Sequence, residues 1–328
     1  MMSSFNVNVM PVAFVPNHPV YTGICVTSAV LLVCIIVVGN FLVVATFLKS
    51  ESLRRPSYLL LSSLAAVDLM TGVIAIPLET FKRFVVIEVT CLYTYSRYFS
   101  GFVYLFASNS LLHIVMVTWD RYIAVHKPLR YETLVTANRV AIGIIFSWLL
   151  SIGFLIGLVT KEEDPTLIAN YCAGTNNQTD RLTRIGIILI MVAIILSALT
   201  LITLNMLILR TAMQHARRIA QMERAVGQRE DETRSRVKAS QIVTTITLAF
   251  FICYIPTSVL HIILGVDIEG RLYSRPVDDV TTFIFLCGSA VNPVIYSYRD
   301  RVFRDKALRY FKDKSVWRKL CSAESTFA

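Results

Sequence analysis

The chain has 328 residues, of which 55% are hydrophobic and 16% are charged, and its formal net charge at pH 7 is +10. Soluble domains carry about 25% charged residues, so this composition excludes an ordinary water-soluble protein, and it also excludes collagen, disordered tails and small disulfide scaffolds. The seven cysteines are too few and too scattered for a disulfide framework. The composition therefore predicts a membrane protein with several spanning segments.

Seven apolar segments are long enough to cross a bilayer, which takes roughly 20 residues of helix. They are residues 22–48, 57–80, 95–125, 138–160, 183–211, 240–264 and 277–299. We therefore predict an all-α fold, a bundle of seven transmembrane helices. Its domains are an extracellular tail at 1–21, the seven-span domain at 22–299, and a cytoplasmic amphipathic helix and tail at 300–328.

Lysine and arginine predict the orientation of the bundle in the membrane. Residues 1–22 contain neither, whereas 24 of the 32 basic residues lie on the opposite side, after spans 1, 3 and 5 and in the tail. Because basic residues stay in the cytoplasm, the N-terminus is expected outside and the C-terminus inside. The sequon at Asn177 then lies outside, where it can be glycosylated. We expect the basic residues to contact lipid headgroups and not nucleic acid.

Several polar residues lie within the apolar spans, where an ionisable side chain costs a few kcal/mol. Asp68 is in the middle of span 2, Ser110 is in span 3, and Ser289 and Asn292 share one face of span 7. Carboxylate, hydroxyl and amide oxygens suit a hard monovalent cation together with water. A water-filled network around a protonated Asp68, with no ion, is an equal alternative.

Span 3 and the prolines of spans 6 and 7 suggest a conformational switch. Span 3 has an inner stripe at 103, 107, 110, 114, 117 and 121. Asp120-Arg121-Tyr122 at its inner end offers an arginine that can exchange partners, although a snorkelling interfacial arginine is the alternative. Pro256 and Pro293 each remove a backbone hydrogen bond and bend their helices, so both are candidate hinges.

Landmark residues occur in the same order as in one receptor family. They are Gly39-Asn40; Leu64, Ala65 and Asp68; Asp120-Arg121-Tyr122; Trp148; Phe250, Cys253 and Pro256; and Asn292-Pro293 with Tyr296. Together they resemble the rhodopsin-like (class A) G-protein-coupled receptors over nearly the whole chain. The proline-free fifth span and the segments MQHARRIAQME and RYETLVTANRVAIGI look like an orphan of the adenosine, melanocortin, cannabinoid and lysophospholipid branch.

The resemblance implies a mechanism. Asp120 would hold Arg121 at rest and release it toward a heterotrimeric G protein, with rearrangement of Asn292 and Tyr296. Pro128-Leu129 would contact the G protein, and arrestin and a receptor kinase are further expected partners. The acidic partner for Arg121 in span 6 is replaced by Arg236, with Glu232 one turn earlier. Raised basal signalling is therefore expected.

The resemblance also implies a ligand pocket in the outer half of the bundle. Its predicted lining is Val103, Tyr104, Ala107, Tyr254, Thr257, Ser258, His261, Thr282, Leu286, Glu79 and Asp278. Tyr254 takes the position beneath the ligand that is usually Trp. Val103 replaces the aspartate that binds monoamines, and Leu286 replaces the lysine that binds retinal. A neutral or lipid-like small molecule, or a short peptide that reaches Glu79 and Asp278, is therefore expected, although each residue could instead serve helix packing alone.

Modifications and the tail follow from the same resemblance. Cys91 and Cys172 are the expected extracellular disulfide, with a shifted spacing, and Cys321 is a candidate palmitoylation site. After Tyr296, the segment RDRVFRDKALRYF looks like an amphipathic helix on the inner membrane face, with Phe303 and Phe311 dipping toward lipid.

Three other functions are alternatives to a ligand-binding receptor of the plasma membrane. A receptor that signals without ligand, or that acts as a dimer partner, remains open. A transporter usually shows inverted repeats, and none is visible here. An intramembrane hydrolase needs a nucleophile and base or paired carboxylates, which Asp68 and His113 do not supply. We therefore predict no enzymatic activity and no cofactor other than an allosteric sodium ion.

Overall fold

A computed structural model of the protein describes residues 19–51, 55–84, 93–160, 192–211, 213–214, 249, 251–260, 262–263, 275–299 and 303–306. All the regular structure in these ranges is helical, which confirms the predicted all-α class. The main helices are α1 (Pro19–Lys49), α2 (Pro56–Phe84), α3 (Tyr93–His126), α4 (Ala137–Val159), α5 (Val192–Thr211), α6 (Phe251–Leu260) and α7 (Arg275–Arg299).

The outward faces of these helices are apolar. In the described part of the chain, α1, α2, α3, α4 and α5 are long and apolar enough to cross a membrane. Large side chains such as Leu31, Ile35, Ile145 and Leu149 are each more than half exposed. Proteins in water rarely expose so much contiguous apolar surface, so these faces contact lipid.

Helix α3 lies at the centre of the bundle. It packs against α2 and α4, while α1 packs against α2 and α7. Along the predicted stripe, Val103, Ser110, Ile114 and Val117 are buried. The buried surface of α3 is wider than that stripe, since Asn109, His113, Thr118 and Asp120 are buried as well. A central helix has neighbours on several sides, so its buried surface exceeds the single face of a peripheral helix.

Helix α2 widens into a π-turn at Thr71–Ala75, just before Pro77. The proline ring has no N–H and collides with the preceding turn, so the helix must adjust its hydrogen bonds there. Gly72 lies in this turn, and a Cβ added to it would approach the Ile36 side chain of α1 to 2.9 Å. The missing side chain thus allows α1 and α2 to pack closely, as is typical of membrane helices.

The inner end of the bundle differs from prediction at Phe303. Residues 303–306 are helical, but the Phe303 side chain is only 4% exposed and belongs to the core cluster that includes Val43 and Leu64. The prediction that Phe303 faces lipid is therefore wrong. Amphipathic spacing shows which side of the segment is apolar, but does not show whether protein or lipid covers that side.

Candidate functional site

A cavity of about 470 Å³ lies between α2, α3, α4, α5, α6 and α7. Nine residues predicted for the pocket line it: Glu79, Val103, Tyr104, Ala107, Tyr254, Thr257, Ser258, Asp278 and Thr282. Leu286 does not line it, because it packs into the core with Val103 and Phe106. His261 lies outside the described residues. Whether the nine residues bind a ligand stays a prediction.

The cavity extends further than the sequence suggested. One wall is formed by α4 through Leu150, Ser151 and Phe154, and the outer end of α2 adds Lys82 and Arg83. The position of α4 depends on tertiary packing, so no local pattern could have identified that wall. Lys82 and Arg83, in contrast, follow Glu79 by three and four residues, and this spacing places all three on one helix face.

A buried ionic cluster closes one end of the cavity. Arg83 donates to Glu79 Oε1 at 2.7 Å, to Asp278 Oδ2 at 2.8 Å, and also to Asp279. Lys82 pairs with Glu79 Oε1 at 2.6 Å. Since α2 supplies the cations and α7 supplies two of the carboxylates, the cluster ties the outer ends of these helices together.

The cluster also reaches α1 and α3. The Tyr21 hydroxyl of α1 donates to Asp279 Oδ2 at 2.8 Å, and Lys82 donates to Ser100 of α3 at 2.7 Å. Tyr21, Lys82, Arg83 and Asp279 are not among the residues predicted from the sequence. Their partners are up to 258 residues away in the chain, so only the fold brings them together.

The opposite end of the cavity is an aromatic floor. The Tyr254 and Phe285 rings meet edge to face, with 4.8 Å between their centroids. A Cβ added to Gly288 would lie 3.3 Å from Tyr254 Cε2. The ring therefore packs closely against the α7 backbone at Gly288.

Below the floor lies the predicted polar centre, and its residues are buried. Asn292 Nδ2 donates to Asp68 Oδ2 at 2.8 Å, and the hydroxyls of Ser110 and Ser289 face the same carboxyl group. Asn40 Nδ2 donates to the Ser289 carbonyl at 3.1 Å. Asp68 Oδ1 has no hydrogen-bond partner among the described residues. A buried oxygen without a partner fits a small cation, and the surrounding donor set of oxygens fits sodium.

No group of three or more His, Cys, Asp or Glu side chains in the described part of the chain could hold a metal ion. His113 instead belongs to a separate hydrogen-bond network. Its Nε2 lies 2.8 Å from the Ser63 hydroxyl, and its Nδ1 lies 2.9 Å from the Asn109 carbonyl. The Ser147 hydroxyl of α4 completes the network by donating to Asn109 Oδ1 at 3.4 Å. His113 therefore joins α2, α3 and α4.

At the inner end of α3, the predicted acid–base pair is loose. Arg121 Nε lies 3.5 Å from Asp120 Oδ2, and the arginine side chain is 36% exposed while the aspartate is 3% exposed. Asp120 is held more closely by hydroxyl groups. Its Oδ1 accepts from Tyr131 at 2.7 Å and from Ser57 at 3.3 Å. Neither hydroxyl was identified from the sequence.

Tyr131 lies in the loop after α3, next to a 3-10 turn at Pro128–Arg130. Burial, together with the neighbouring Asp120 carboxylate, raises the pKa of Tyr131 to about 12. Its hydroxyl thus remains a donor throughout the physiological pH range. Within the same turn, Leu129 is 99% exposed.

The remaining predicted switch residues are only partly described. The Tyr122 ring stacks on His126, with 5.3 Å between the centroids, and contacts Trp119 at a tilted angle, with 5.5 Å between the centroids. Pro256 lies within α6, and Pro293 lies inside α7. The Pro293 ring packs close to Gly39 of α1, since a Cβ added to that glycine would lie 3.1 Å from Pro293 Cγ. Tyr296 belongs to α7, but its side chain lies outside the described set, as do Cys91, Cys172, Asn177, Glu232, Arg236, Phe311 and Cys321.

Comparison with known proteins gives a consistent family match. The family described as "7 transmembrane receptor (rhodopsin family)" matches residues 39–296. Trace amine-associated receptor 7d of Mus musculus is 29% identical over 322 residues, which cover 92% of this chain and 84% of that receptor. The histamine H2 receptor of Cavia porcellus is 26% identical over 306 residues, which cover 89% of this chain and 80% of that receptor. These relatives do not confirm the predicted adenosine–melanocortin branch.

Proposed function

Because the chain belongs to the rhodopsin family of seven-transmembrane receptors, we propose that it transmits the binding of an extracellular ligand to a heterotrimeric G protein. The observation that carries this proposal is the arrangement of three sites along one bundle. A cavity of about 470 Å³ lies in one half, a buried polar centre follows, and a partly exposed Arg121 lies at the other end.

The ligand is a small organic molecule or a short peptide that occupies this cavity. The walls contributed by α3, α4 and α5 are mainly apolar, which suits a lipid-like body, whereas Glu79 and Asp278 suit the charged part of a peptide. The relatives are named for trace amines and for histamine. Val103 cannot pair with an ammonium group, so a ligand of that class needs a carboxylate elsewhere in the cavity.

Activation follows from linked rearrangements. A ligand that rests on Tyr254 pushes its ring against Gly288 of α7, and Pro256 lets the inner part of α6 swing outward. Asp68, Ser110, Ser289 and Asn292 would hold a sodium ion, which would supply a positive charge where α2, α3 and α7 meet and so favour the resting form. On activation, Asn292 and Tyr296 rearrange.

At the inner end, Tyr131 and Ser57 retain Asp120 while Arg121 turns toward the G protein. Leu129, which is almost completely exposed, inserts into an apolar pocket of that partner together with Pro128. Because the Arg121–Asp120 pair is 3.5 Å apart and partly exposed, it contributes only about 0–1 kcal/mol to the resting state. The receptor accordingly has raised basal activity.

The orientation completes the proposal. The N-terminus and the cavity face the outside of the cell, and the basic loops and tail face the cytoplasm, where arrestin and a receptor kinase also bind. The proposed domains are the extracellular tail at 1–21, the seven-span receptor domain at 22–299, and the cytoplasmic helix and tail at 300–328. We also propose a disulfide between Cys91 and Cys172, a glycan on Asn177 and a palmitoyl group on Cys321.

Cells that express the wild type or Arg121→Ala at matched surface levels test this function. We expect a basal change in cyclic AMP in the wild type that Arg121→Ala abolishes, and its sign identifies the class of G protein. Arg55→Ala is the control, since Arg55 is an exposed arginine on the same side of the membrane. If neither basal cyclic AMP nor any other G-protein readout responds to Arg121→Ala, the proposed coupling is wrong.

A further inference from the structure

The ionic cluster at the end of the cavity joins side chains of α2 and α7. Its described members include the carboxylates of Glu79, Asp278 and Asp279 and the cations Lys82 and Arg83. These five side chains are mostly buried, so solvent screens their interactions poorly.

Glu79 uses only one of its two carboxylate oxygens in these ion pairs. Both cations contact the same oxygen of Glu79, Oε1, at 2.6 and 2.7 Å. The other oxygen, Oε2, is buried and has no hydrogen-bond partner among the described residues. The whole residue is only 5% exposed. A buried carboxylate oxygen without a donor is costly, which indicates that another molecule supplies the donor.

Glu79 lines the cavity, while its Oε2 lies just beneath the accessible surface, so a ligand in the cavity reaches this oxygen through a small rotation of the carboxyl group. Tyr104 and Thr282 also line the cavity and add an aromatic face and a hydroxyl group. The charged residues of the lining are Glu79, Lys82, Arg83 and Asp278, all at this end. The rest of the described lining is apolar or uncharged, and it includes Val103 of α3.

From these observations we infer that the receptor recognises an organic cation, whose ammonium or amidinium group binds Glu79 Oε2 at the α2–α7 end of the cavity. This inference deepens the proposed function and rests on it. The apolar body of the ligand extends from the charged group across α3 toward α4 and α5. The ammonium thus lies on a different wall from Val103, and its position is set by the outer end of α2.

An anionic ligand is the main competing possibility, because Lys82 and Arg83 line the same end. Both cations are already engaged, however. Lys82 bonds to Glu79 and Ser100, while Arg83 bonds to all three carboxylates and to Thr282 at 3.1 Å. An anion would have to displace these partners, whereas a cation finds an oxygen of Glu79 that lacks a donor among the described residues. The contacts therefore favour the cation.

The test uses purified full-length receptor in detergent and three probes with one apolar body: phenylbutylamine, phenylbutanol and phenylbutanoate. Thermal unfolding is followed with a thiol-reactive dye, which reports exposure of the buried Cys253. We expect the amine to raise Tm in a saturable way, the alcohol to act weakly, and the carboxylate to have no effect. Because the assay contains no G protein, its failure is distinguishable from a failure of signalling through Arg121.

Variants then locate the binding group. Glu79→Gln keeps the size of the side chain and should weaken amine binding about tenfold or more, the loss expected for one charged hydrogen bond. Glu79→Asp keeps the charge and should retain the preference for the amine over the alcohol. Asp279→Asn is the matched control, because it removes a carboxylate of the same cluster that does not line the cavity. It should weaken amine binding less than Glu79→Gln does.

Four outcomes would overturn the inference. They are equal stabilisation by the amine and the alcohol, preference for the carboxylate, no response to the amine, and amine binding by Glu79→Gln at wild-type strength. If the Glu79 variants do not fold, the comparison of the three probes on the wild type decides alone.

Discussion

Removing the Tyr131 hydroxyl tests whether that group, and not Arg121, holds Asp120 in place. The substitution Tyr131→Phe keeps the ring and deletes both the 2.7 Å hydrogen bond to Asp120 Oδ1 and the 2.6 Å hydrogen bond to the Ser57 hydroxyl. A hydrogen bond to a charged group contributes about 1.5–3 kcal/mol. Ser57 remains 3.3 Å from the same oxygen and offsets part of the loss, so we expect about 1–2 kcal/mol of destabilisation.

Thermal unfolding of purified protein should show this as a fall in Tm of a few degrees. Because the pKa of Tyr131 is raised to about 12, its protonated donor form persists across neutral pH. The difference between wild type and Tyr131→Phe should therefore stay constant between about pH 6 and pH 9. In cells, Asp120 without its hydroxyl partner should hold Arg121 more firmly, and basal signalling should fall.

Tyr98→Phe is the matched control, since Tyr98 is an exposed tyrosine at the other end of α3. It should change neither Tm nor basal signalling. An unchanged Tm in Tyr131→Phe would show that this hydroxyl does not stabilise Asp120. A rise in basal signalling would show that Tyr131 restrains Arg121, which is the reverse of our account.

Two further substitutions address the core of the bundle. Sodium chloride should raise the Tm of the purified receptor more than potassium chloride does, and Asp68→Asn should abolish this difference, because the carboxylate oxygen without a partner becomes part of a neutral amide. A sodium effect that survives the substitution would place the ion elsewhere. Gly288→Ala should reduce signalling at matched surface level, since its Cβ would lie 3.3 Å from Tyr254 and limit rotation of that ring, whereas normal signalling would mean that Tyr254 does not move against α7.

Local features of the sequence predicted most of the fold. The spans could be identified because hydropathy is a property of consecutive residues, and the burial of Asp68, Ser110 and Asn292 followed from their depth within those spans. Phe303 was misplaced because its apolar face could have met either lipid or protein.

The cavity and the inner end show where such reasoning fails. Leu286 was assigned to the pocket by analogy of position, but its side chain packs beside Val103. Arg83 and Asp279 are 196 residues apart, and Ser57 and Asp120 are 63 apart. Contacts of this kind depend on how helices pack, and neither periodicity nor composition contains that information.

Reconstitution of the purified receptor in lipid nanodiscs with purified G proteins tests the central claim most directly. The measured quantity is the rate of nucleotide exchange on each class of G protein. We predict that the wild type accelerates exchange on at least one class without added ligand, that Arg121→Ala removes the acceleration, and that Arg55→Ala retains it within about twofold. Equal exchange rates with wild type and Arg121→Ala on every class would contradict the account.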